Sequence, residues 1–340
     1  ILWFGGQMIM AGRLGVGELT GFMSYVLLIM NSLMMISGVF LLTARAITSV
    51  RRIGEILSEE PAIESPEHGL TDVKNGAVRF ENVSFKYQAD NNSAVEDLRL
   101  TIKPGEKVGI LGRIGSGKST MLKLASGLYD TEKGNVTLDG VDMRQLDPNF
   151  LRDQVLLLSQ SPRLFLGTLR ENMDLARTGS YSTDQDLLIA LNRFGLDKII
   201  RNHPRGLDMP LGEDGLGLSG GQKQIIALAR MTLRNPKVVL LDEPTTSLDQ
   251  ATERMALNAI AQWGRNRTML LVTHRPQVLQ IVNRIIVMDN GKVVMDGPRD
   301  LVLQKLMQNE QAKAANVKQQ QQAVNAKQQQ QAAAPQSAAQ

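Results

Sequence analysis

The chain has 340 residues, of which 43% are hydrophobic and 21% are charged, proportions typical of a folded protein with one large or two ordinary domains. It contains no cysteine, which excludes a disulfide framework and any metal site built on thiolates. The formal net charge is +4, but no run of Lys and Arg interleaved with aromatic residues indicates a nucleic-acid surface, so no nucleic-acid partner is expected. The chain begins at Ile1 without a signal-peptide pattern, and we interpret it as part of a longer protein.

The first 58 residues differ in composition from the rest. An apolar piece and a glycine-rich turn come first, and no charged side chain occurs over residues 19–44. This run exceeds the roughly 20 apolar residues that cross a bilayer. Three arginines follow it by residue 52, which places that end in the cytoplasm by the positive-inside tendency. The sequence therefore predicts, over 1–58, the end of one membrane helix, a short outer loop and a last membrane helix. A buried helix of a soluble domain is the alternative, which apolar residues on every face disfavour.

Beyond a Pro- and acid-containing linker over 59–75, short apolar strands alternate with helix-like segments to about residue 308. A mostly helical region interrupts them at about 169–234. This alternation predicts an α/β domain over 76–308 with a helical subdomain. The tail over 309–340 is rich in Gln and Ala without an apolar stripe, and we predict that it is disordered. Strands are predicted at 77–85, 98–102, 108–111, 135–138, 154–158, 238–241, 269–273 and 285–288.

Residues 112–119, GRIGSGKS, have the form of a phosphate-binding loop. An apolar strand precedes them and a helix-like segment over 120–126 follows, which is the context that the motif requires. Glycines let the backbone curl so that several N–H groups face one phosphate, and the helix N-terminus adds partial positive charge. Lys118 is expected to reach the β- and γ-phosphates and Ser119 to bind Mg²⁺. The sequence thus predicts ATP and Mg²⁺ as ligands.

Two further strand ends carry polar groups that suit phosphate chemistry. The apolar strand at 238–241 runs into Asp242 and Glu243. Asp242 is expected near Mg²⁺, and Glu243 beside the γ-phosphate, where it can polarise an attacking water. His274 follows the strand at 269–273 and suits a contact with the γ-phosphate.

Residues 218–222, LSGGQ, form a second helix start that can bind an anion, because Ser219 can cap the helix and two glycines expose backbone N–H groups. The helix is predicted from Lys223. One nucleotide does not need two such helix starts. Two copies of the chain packed head to tail would place each LSGGQ segment on the γ-phosphate of the other copy.

Together with Tyr87, with Gln160 in the segment LSQSP and with the loop Ser247-Leu248-Asp249, these motifs resemble ABC transporters of the exporter type, in which a membrane part precedes the nucleotide-binding domain. The resemblance is dense over 77–300 and looser over 1–58. It implies a transmembrane segment followed by an α/β P-loop ATPase domain. It also implies that Tyr87 stacks on adenine and that Gln160 senses the γ-phosphate and links to the membrane part.

The resemblance implies roles for three sets of residues. The catalytic set is Glu243, His274, Lys118 and Gln160. In this set Glu243 is the general base and His274 stabilises the transferring phosphoryl group. The metal set is Ser119, Gln160 and Asp242. In the nucleotide-binding set, the LSGGQ residues and Asp249 act across a dimer. The set consists of Tyr87, Gly112, Gly115, Ser116, Gly117, Lys118, Ser119, Thr120, Ser219, Gly220, Gly221, Gln222 and Asp249.

The finer resemblance is divided. The segments at 3–6 and 17–20 resemble bacterial multidrug and lipid exporters, whereas those at 203–210 and 162–165 resemble type I secretion ATPases. A recombined sequence is one explanation that stays open. The implied location is the cytoplasmic membrane, crossed more than once, with the ATPase domain in the cytoplasm. The implied partners are a second copy or a paralogous half, the lipid bilayer and a transported substrate, joined in type I secretion by a periplasmic adaptor and an outer-membrane channel.

The intact base, switch histidine and LSGGQ segment favour a homodimer with two competent sites over a heterodimer with one degenerate site. Two other functions remain as alternatives. One is a soluble ABC ATPase that acts in DNA repair or translation, and the other is the separate ATPase subunit of an importer. Both lack a fused membrane span such as the uncharged run at 19–44.

Overall fold

The computed structural model describes residues 1–61, 63, 65–87, 92–176 and 182–308. The chain divides into two compact units, Ile1–Ala62 and Ile63–Gln340. The tail over 309–340, predicted to be disordered, lies outside the described residues.

The first unit consists of two helices, α1 (Leu2–Met10) and α2 (Val16–Leu57). Helix α1 packs on α2 at Gly5, where a Cβ atom would overlap the side chain of Leu19. At 42 residues, α2 is about 60 Å long, twice the hydrocarbon thickness of a bilayer. Its most apolar 18-residue window has a mean hydropathy of 2.1, and none of that window is buried within the described structure. By length and composition α2 can cross a membrane.

Several hydroxyl side chains of α2 bond to the backbone of the same helix. Five hydroxyl groups each donate to the carbonyl oxygen four residues earlier, at 2.8–3.0 Å. An unpaired hydroxyl in hydrocarbon costs free energy, so these bonds make the helix compatible with a lipid surrounding. The five residues are Ser24, Ser32, Ser37, Thr43 and Thr48.

The second unit is built from two main β-sheets and surrounding helices. Residues 299–308 of this unit are also helical. Its strands are β1 (Val78–Phe85), β2 (Val95–Ile102), β3 (Lys107–Gly112), β4 (Lys133–Leu138), β5 (Val141–Asp142), β6 (Val155–Leu158), β7 (Gly167–Thr168), β8 (Pro210–Leu211), β9 (Val238–Asp242), β10 (Thr268–Val272), β11 (Arg284–Asp289) and β12 (Lys292–Pro298). Its helices are α3 (Lys118–Ala125), α4 (Pro148–Gln154), α5 (Leu169–Asp174), α6 (Asp184–Arg193), α7 (Asp197–Asn202), α8 (Gly220–Met231) and α9 (Gln250–Trp263).

The six-stranded sheet has the order β12-β11-β3-β10-β9-β6, with all neighbours parallel except β11 and β12. Strands β9 and β10 are fully buried over their apolar runs, as expected for parallel strands covered on both faces. Val272 is in register with Asp242 on one side and Ile110 on the other. The carboxyl ends of β3, β9 and β10 therefore meet at one edge of the sheet, where ligands bind in such folds.

The four-stranded sheet is antiparallel, in the order β2-β1-β4-β5. Its inner face packs on α3 and on the six-stranded sheet in one hydrophobic cluster. A second cluster joins the opposite face of the six-stranded sheet to α6, α8 and α9. Helices α5 to α8 occupy the predicted helical region at 169–234, together with the short β7–β8 pair.

The C-terminal part of the predicted linker over 59–75 is bonded to this unit. Leu70 forms a parallel bridge with Leu146, and Val73 is buried in the core. The carboxylate of Asp139 accepts hydrogen bonds at 2.6–3.0 Å from the backbone N–H groups of four successive residues, 74–77. The chain is thus fixed to the α/β unit before β1 begins.

Helix α8 begins at Gly220, three residues earlier than predicted. Ser219 caps it, so the two glycines belong to the first helical turn rather than to the preceding loop. Helix α3 likewise begins at Lys118 instead of Thr120, directly after Gly117 at φ 94°.

Candidate nucleotide site

The loop at 112–117 connects β3 to α3 and depends on its glycines. A Cβ atom at Gly112 would overlap the carbonyl oxygen of Met288, and one at Gly117 would overlap that of Ala94. Gly115 adopts φ 81° and faces open space. The hydroxyl of Ser116 is buried and has no hydrogen-bond partner within the described part of the chain. The loop therefore offers backbone N–H groups and a free hydroxyl to an anion.

Lys118 lies under this loop and is only 7% exposed. Its Nζ donates to the carbonyl oxygens of Gly112 and Arg113 at 2.9 and 2.8 Å. Burial lowers the pKa of Lys118, and the carboxylates of Glu243 and Asp242 partly oppose that shift. The ammonium group is thus close to two carboxylates and held by neutral acceptors that phosphate oxygens can replace.

Glu243 joins three other polar side chains at the end of β9. Its Oε1 lies 3.4 Å from His274 Nε2, and its Oε2 lies 3.5 Å from Gln160 Nε2. Thr246 Oγ1 donates to Oε2 at 2.9 Å. Glu243 itself is in a left-handed conformation at φ 47°, which turns the chain sharply after Asp242. Residues from three strand ends thereby surround one carboxylate.

The neighbouring Asp242 is suited to Mg²⁺. Burial raises the pKa of Asp242, while a hydrogen bond from the Ser119 hydroxyl acts in the opposite sense. Among the described residues there is no group of three or more His, Cys, Asp or Glu side chains that could hold a metal. Mg²⁺ does not require one, because it is commonly held by one or two carboxylates and the phosphates of a substrate. Ser119 and Asp242 therefore fit the ion as oxygen donors.

Tyr87 lies beside the phosphate loop. Its hydroxyl is 3.2 Å from Thr120 Oγ1. Its ring meets those of Phe85 and Tyr129 edge to face at 5.0 and 5.4 Å, and Lys123 Nζ lies 5.7 Å from its centroid. A pocket is lined by Tyr87 together with 92–94 and 115–120, so an aromatic ring and the phosphate-binding groups face the same space.

The LSGGQ segment lines a different pocket, shared with 247–249. Ser219 Oγ accepts from Gln222 N at 3.2 Å, and Gln222 Oε1 accepts from Ser219 N at 2.8 Å. Asp249 caps α9 by accepting from the N–H groups of Ala251 and Thr252. Among the residues that the structure describes, none lines both pockets.

The structure thus brings together one group of predicted residues and leaves the other apart. The group at the carboxyl edge of the sheet comprises Tyr87, Gly112, Gly115, Ser116, Gly117, Lys118, Ser119, Thr120, Gln160, Asp242, Glu243 and His274. The group at the second pocket comprises Ser219, Gly220, Gly221, Gln222 and Asp249.

Sequence reasoning missed three residues that contact this site. Thr246 could have been found, because a hydroxyl three residues after Glu243 is within reach of its carboxylate in a tight turn. Gln224, which bonds to the backbone of Glu243, and Arg275, which bonds to the backbone of Thr246, carry no local signal. Their partners are 19 and 29 residues away.

Comparison with known proteins shows which families and proteins this chain is similar to. Residues 95–246 match the family model of the ABC transporter. The alpha-hemolysin translocation ATP-binding protein HlyB of Escherichia coli is 33% identical over 296 residues, which is 87% of this chain and 41% of that protein. The mitochondrial ATP-binding cassette sub-family B member 10 of Mus musculus is 36% identical over 309 residues, covering 90% of this chain and 43% of that protein.

A solved structure is also similar. The structure of a bacterial Atm1-family ABC exporter with ATP bound matches with a TM-score of 0.73 and 28% identity, over 86% of this chain and 51% of that one. The chain spans 39–51% of the lengths of the curated relatives that it matches.

Proposed function

We propose that the chain hydrolyses ATP to drive export of a substrate across the cytoplasmic membrane. The proposal is supported by the match of residues 95–246 to the family model of the ABC transporter and by the similarity of the chain to ABC exporters. The observation that carries the proposal is the convergence of Lys118, Gln160, Glu243 and His274 at the carboxyl ends of β3, β6, β9 and β10. Such a group suits phosphoryl transfer to water.

In the proposed mechanism, the loop at 112–117 and Lys118 bind the phosphates of ATP, and Tyr87 stacks on the adenine. Glu243 accepts a proton from the attacking water, and Gln160 and Thr246 hold the carboxylate in place. His274 donates to the γ-phosphoryl oxygens as charge develops there. Ser119, Asp242 and Gln160 would hold Mg²⁺, which when bound would supply positive charge next to the phosphates.

We further propose that two copies of the chain enclose two nucleotides. Within one chain the LSGGQ segment and the phosphate loop line separate pockets. Residues 219–222 and Asp249 of one copy would complete the site of the other. ATP would then bind the closed dimer more tightly than the open one, and hydrolysis would release that closure to move the attached membrane helices.

Helix α2, which has no charged side chain over residues 19–44, supports a membrane location and disfavours the two soluble alternatives, an ATPase of DNA repair or translation and an importer subunit. We place the basic end of α2 and the α/β unit in the cytoplasm. The membrane part would cross the bilayer more than once. If the substrate is a polypeptide, a periplasmic adaptor and an outer-membrane channel would be further partners.

Stimulation of ATP hydrolysis in lipid vesicles tests the proposal and identifies the substrate class. The purified protein is reconstituted and assayed with amphipathic small molecules or with an unfolded secreted polypeptide. Stimulation by small molecules alone would support a multidrug or lipid exporter, and stimulation by polypeptide alone would support type I secretion. Full ATPase activity of a detergent-free soluble preparation, unaffected by either class, would contradict the export function.

A further inference from the structure

Gln224 is a buried polar residue that bridges two loops. Its side chain is on α8, two residues after the LSGGQ segment, and is 1% exposed. Nε2 donates to the carbonyl oxygen of Glu243 at 3.1 Å, and Oε1 accepts from the backbone N–H of Ser247 at 2.9 Å. One amide group therefore satisfies both the turn that presents Glu243 and the loop that follows it.

The loop at 245–249 is held from its other side by Arg275, the residue after His274. Arg275 Nη2 donates to Thr246 O at 2.8 Å, and Nη1 donates to Leu248 O at 3.2 Å. Nη1 also contacts Glu253 Oε1 at 2.9 Å, and Glu253 is 3% exposed. These contacts leave the 245–249 loop little freedom to move independently of Glu243 and His274.

The two ends of Gln224 point to different sites. Ser247 lines the pocket of the LSGGQ segment, which acts on the nucleotide of the partner copy in the proposed function. Glu243 serves the nucleotide of its own copy. We propose that Gln224 is a positioning residue that couples the two ATP sites of the dimer by joining the LSGGQ helix, the 245–249 loop and the turn of the catalytic carboxylate. This inference rests on the proposed function, because it requires two nucleotides in one dimer.

The physical basis of the coupling is the rigidity of a satisfied buried amide. If a nucleotide on the partner copy shifts α8, the bonds of Gln224 must either move the turn at Glu243 or break. Breaking them leaves the amide of Gln224, which is 1% exposed, without its two partners, which is unfavourable. The position of Glu243 therefore follows that of the LSGGQ helix, although Gln224 touches neither the water nor the phosphates in this arrangement.

The test is a comparison of Gln224→Met with Thr232→Val in the purified, reconstituted protein. Met preserves the length of the side chain and removes both hydrogen bonds. Thr232 caps the other end of α8, where its hydroxyl donates to Ala229 O at 2.8 Å, so its replacement removes a part-buried bond at the end of the helix opposite the LSGGQ segment. The measurements are kcat, KM, the Hill coefficient for ATP, affinity for a fluorescent ATP analogue and Tm.

For Gln224→Met we expect kcat to fall about tenfold or more, nucleotide affinity to stay within about twofold, and the Hill coefficient to fall towards one. Thr232→Val should retain wild-type kcat and Hill coefficient. An unchanged kcat and Hill coefficient in Gln224→Met would overturn the inference. A loss of kcat that merely matches the loss of bound nucleotide would also overturn it, since a general folding defect predicts that pattern.

Gln224→Glu is the second variant in case the Met variant does not fold. It keeps the acceptor for Ser247 N–H and loses the donor to Glu243 O, so the same loss of kcat at retained affinity is expected. Wild-type kinetics in this variant would overturn the inference. A different result would contradict the proposed function itself. That result is a wild-type protein that shows no ATP hydrolysis, or whose ATP hydrolysis is unaffected by Glu243→Gln.

Discussion

At the scale of single residues, Glu243 is the group on which the proposed hydrolysis depends. Replacing it with Gln keeps partners for Gln160 and Thr246 but removes the acceptor for the proton of water. Because general-base catalysis contributes about 10²–10⁴-fold, we expect Glu243→Gln to lower ATP turnover at least ~100-fold while ATP remains bound. Single-turnover hydrolysis and retention of radiolabelled ATP measure the two effects.

Lys118→Ala is the matched control for that variant. Its ammonium group lies under the phosphate loop, so its removal should abolish ATP binding rather than only turnover. Near-normal hydrolysis by Glu243→Gln would remove Glu243 from the role of base. Unchanged nucleotide affinity in Lys118→Ala would count against the phosphate loop.

At the scale of elements, Asp139 joins the β4–β5 turn to the segment before β1. Burial raises the pKa of Asp139, but four backbone N–H donors together outweigh this and leave the pKa below its ordinary value of 3.8. Since the folded pKa is the lower one, the stabilisation is fully present above about pH 4 and is lost as the pH falls through the folded value. We expect Asp139→Asn to lose about 1–2 kcal/mol at pH 7, an amount reduced by solvent screening.

Thermal unfolding of Asp139→Asn between pH 7 and pH 3 tests whether the ionised carboxylate of Asp139 stabilises the fold. The Tm difference from the wild type should be a few degrees at pH 7, by the usual scaling of about 2–4 °C per kcal/mol for a domain of this size, and should shrink towards pH 3. Asp72→Asn provides the matched control, because Asp72 makes an exposed ion pair with Lys74, and it should change Tm little at any pH. A Tm difference for Asp139→Asn that does not depend on pH would contradict the assignment.

The elements also show what could be predicted from sequence and what could not. Strands β9 and β10 were predicted within one residue, because buried parallel strands appear as continuous apolar runs. Strand β12 was not predicted, since it pairs only with β11 and none of its residues is buried. The phosphate loop and Glu243 have local patterns, whereas Gln224 and Arg275 acquire their roles from contacts distant in sequence. Such contacts exist only after the sheet and α8 have packed.

At the scale of the whole molecule, the proposed dimer rests on the separation of the phosphate loop and the LSGGQ segment within one chain. The phosphate loop presents Ile114, which is 96% exposed, and the loop before α8 presents Leu216, which is 79% exposed. Large apolar side chains at such positions are typical of surfaces that become covered on association. The sequence contains no cysteine, so introduced thiols are the only ones available for cross-linking within it.

We therefore expect a protein carrying Ile114→Cys and Leu216→Cys to form a covalent dimer with a short bis-maleimide. Glu243→Gln in the same protein should increase the yield in the presence of ATP, because bound ATP would hold the two copies closed. Each single-cysteine protein serves as a control, and native mass measurement determines whether the product contains two identical chains. Cross-links confined to one chain, a yield indifferent to ATP, or an obligate different partner would contradict the symmetric head-to-tail dimer. A symmetric product would mean that each copy supplies a phosphate loop to one nucleotide and an LSGGQ segment to the other, so neither copy could complete a hydrolysis site alone.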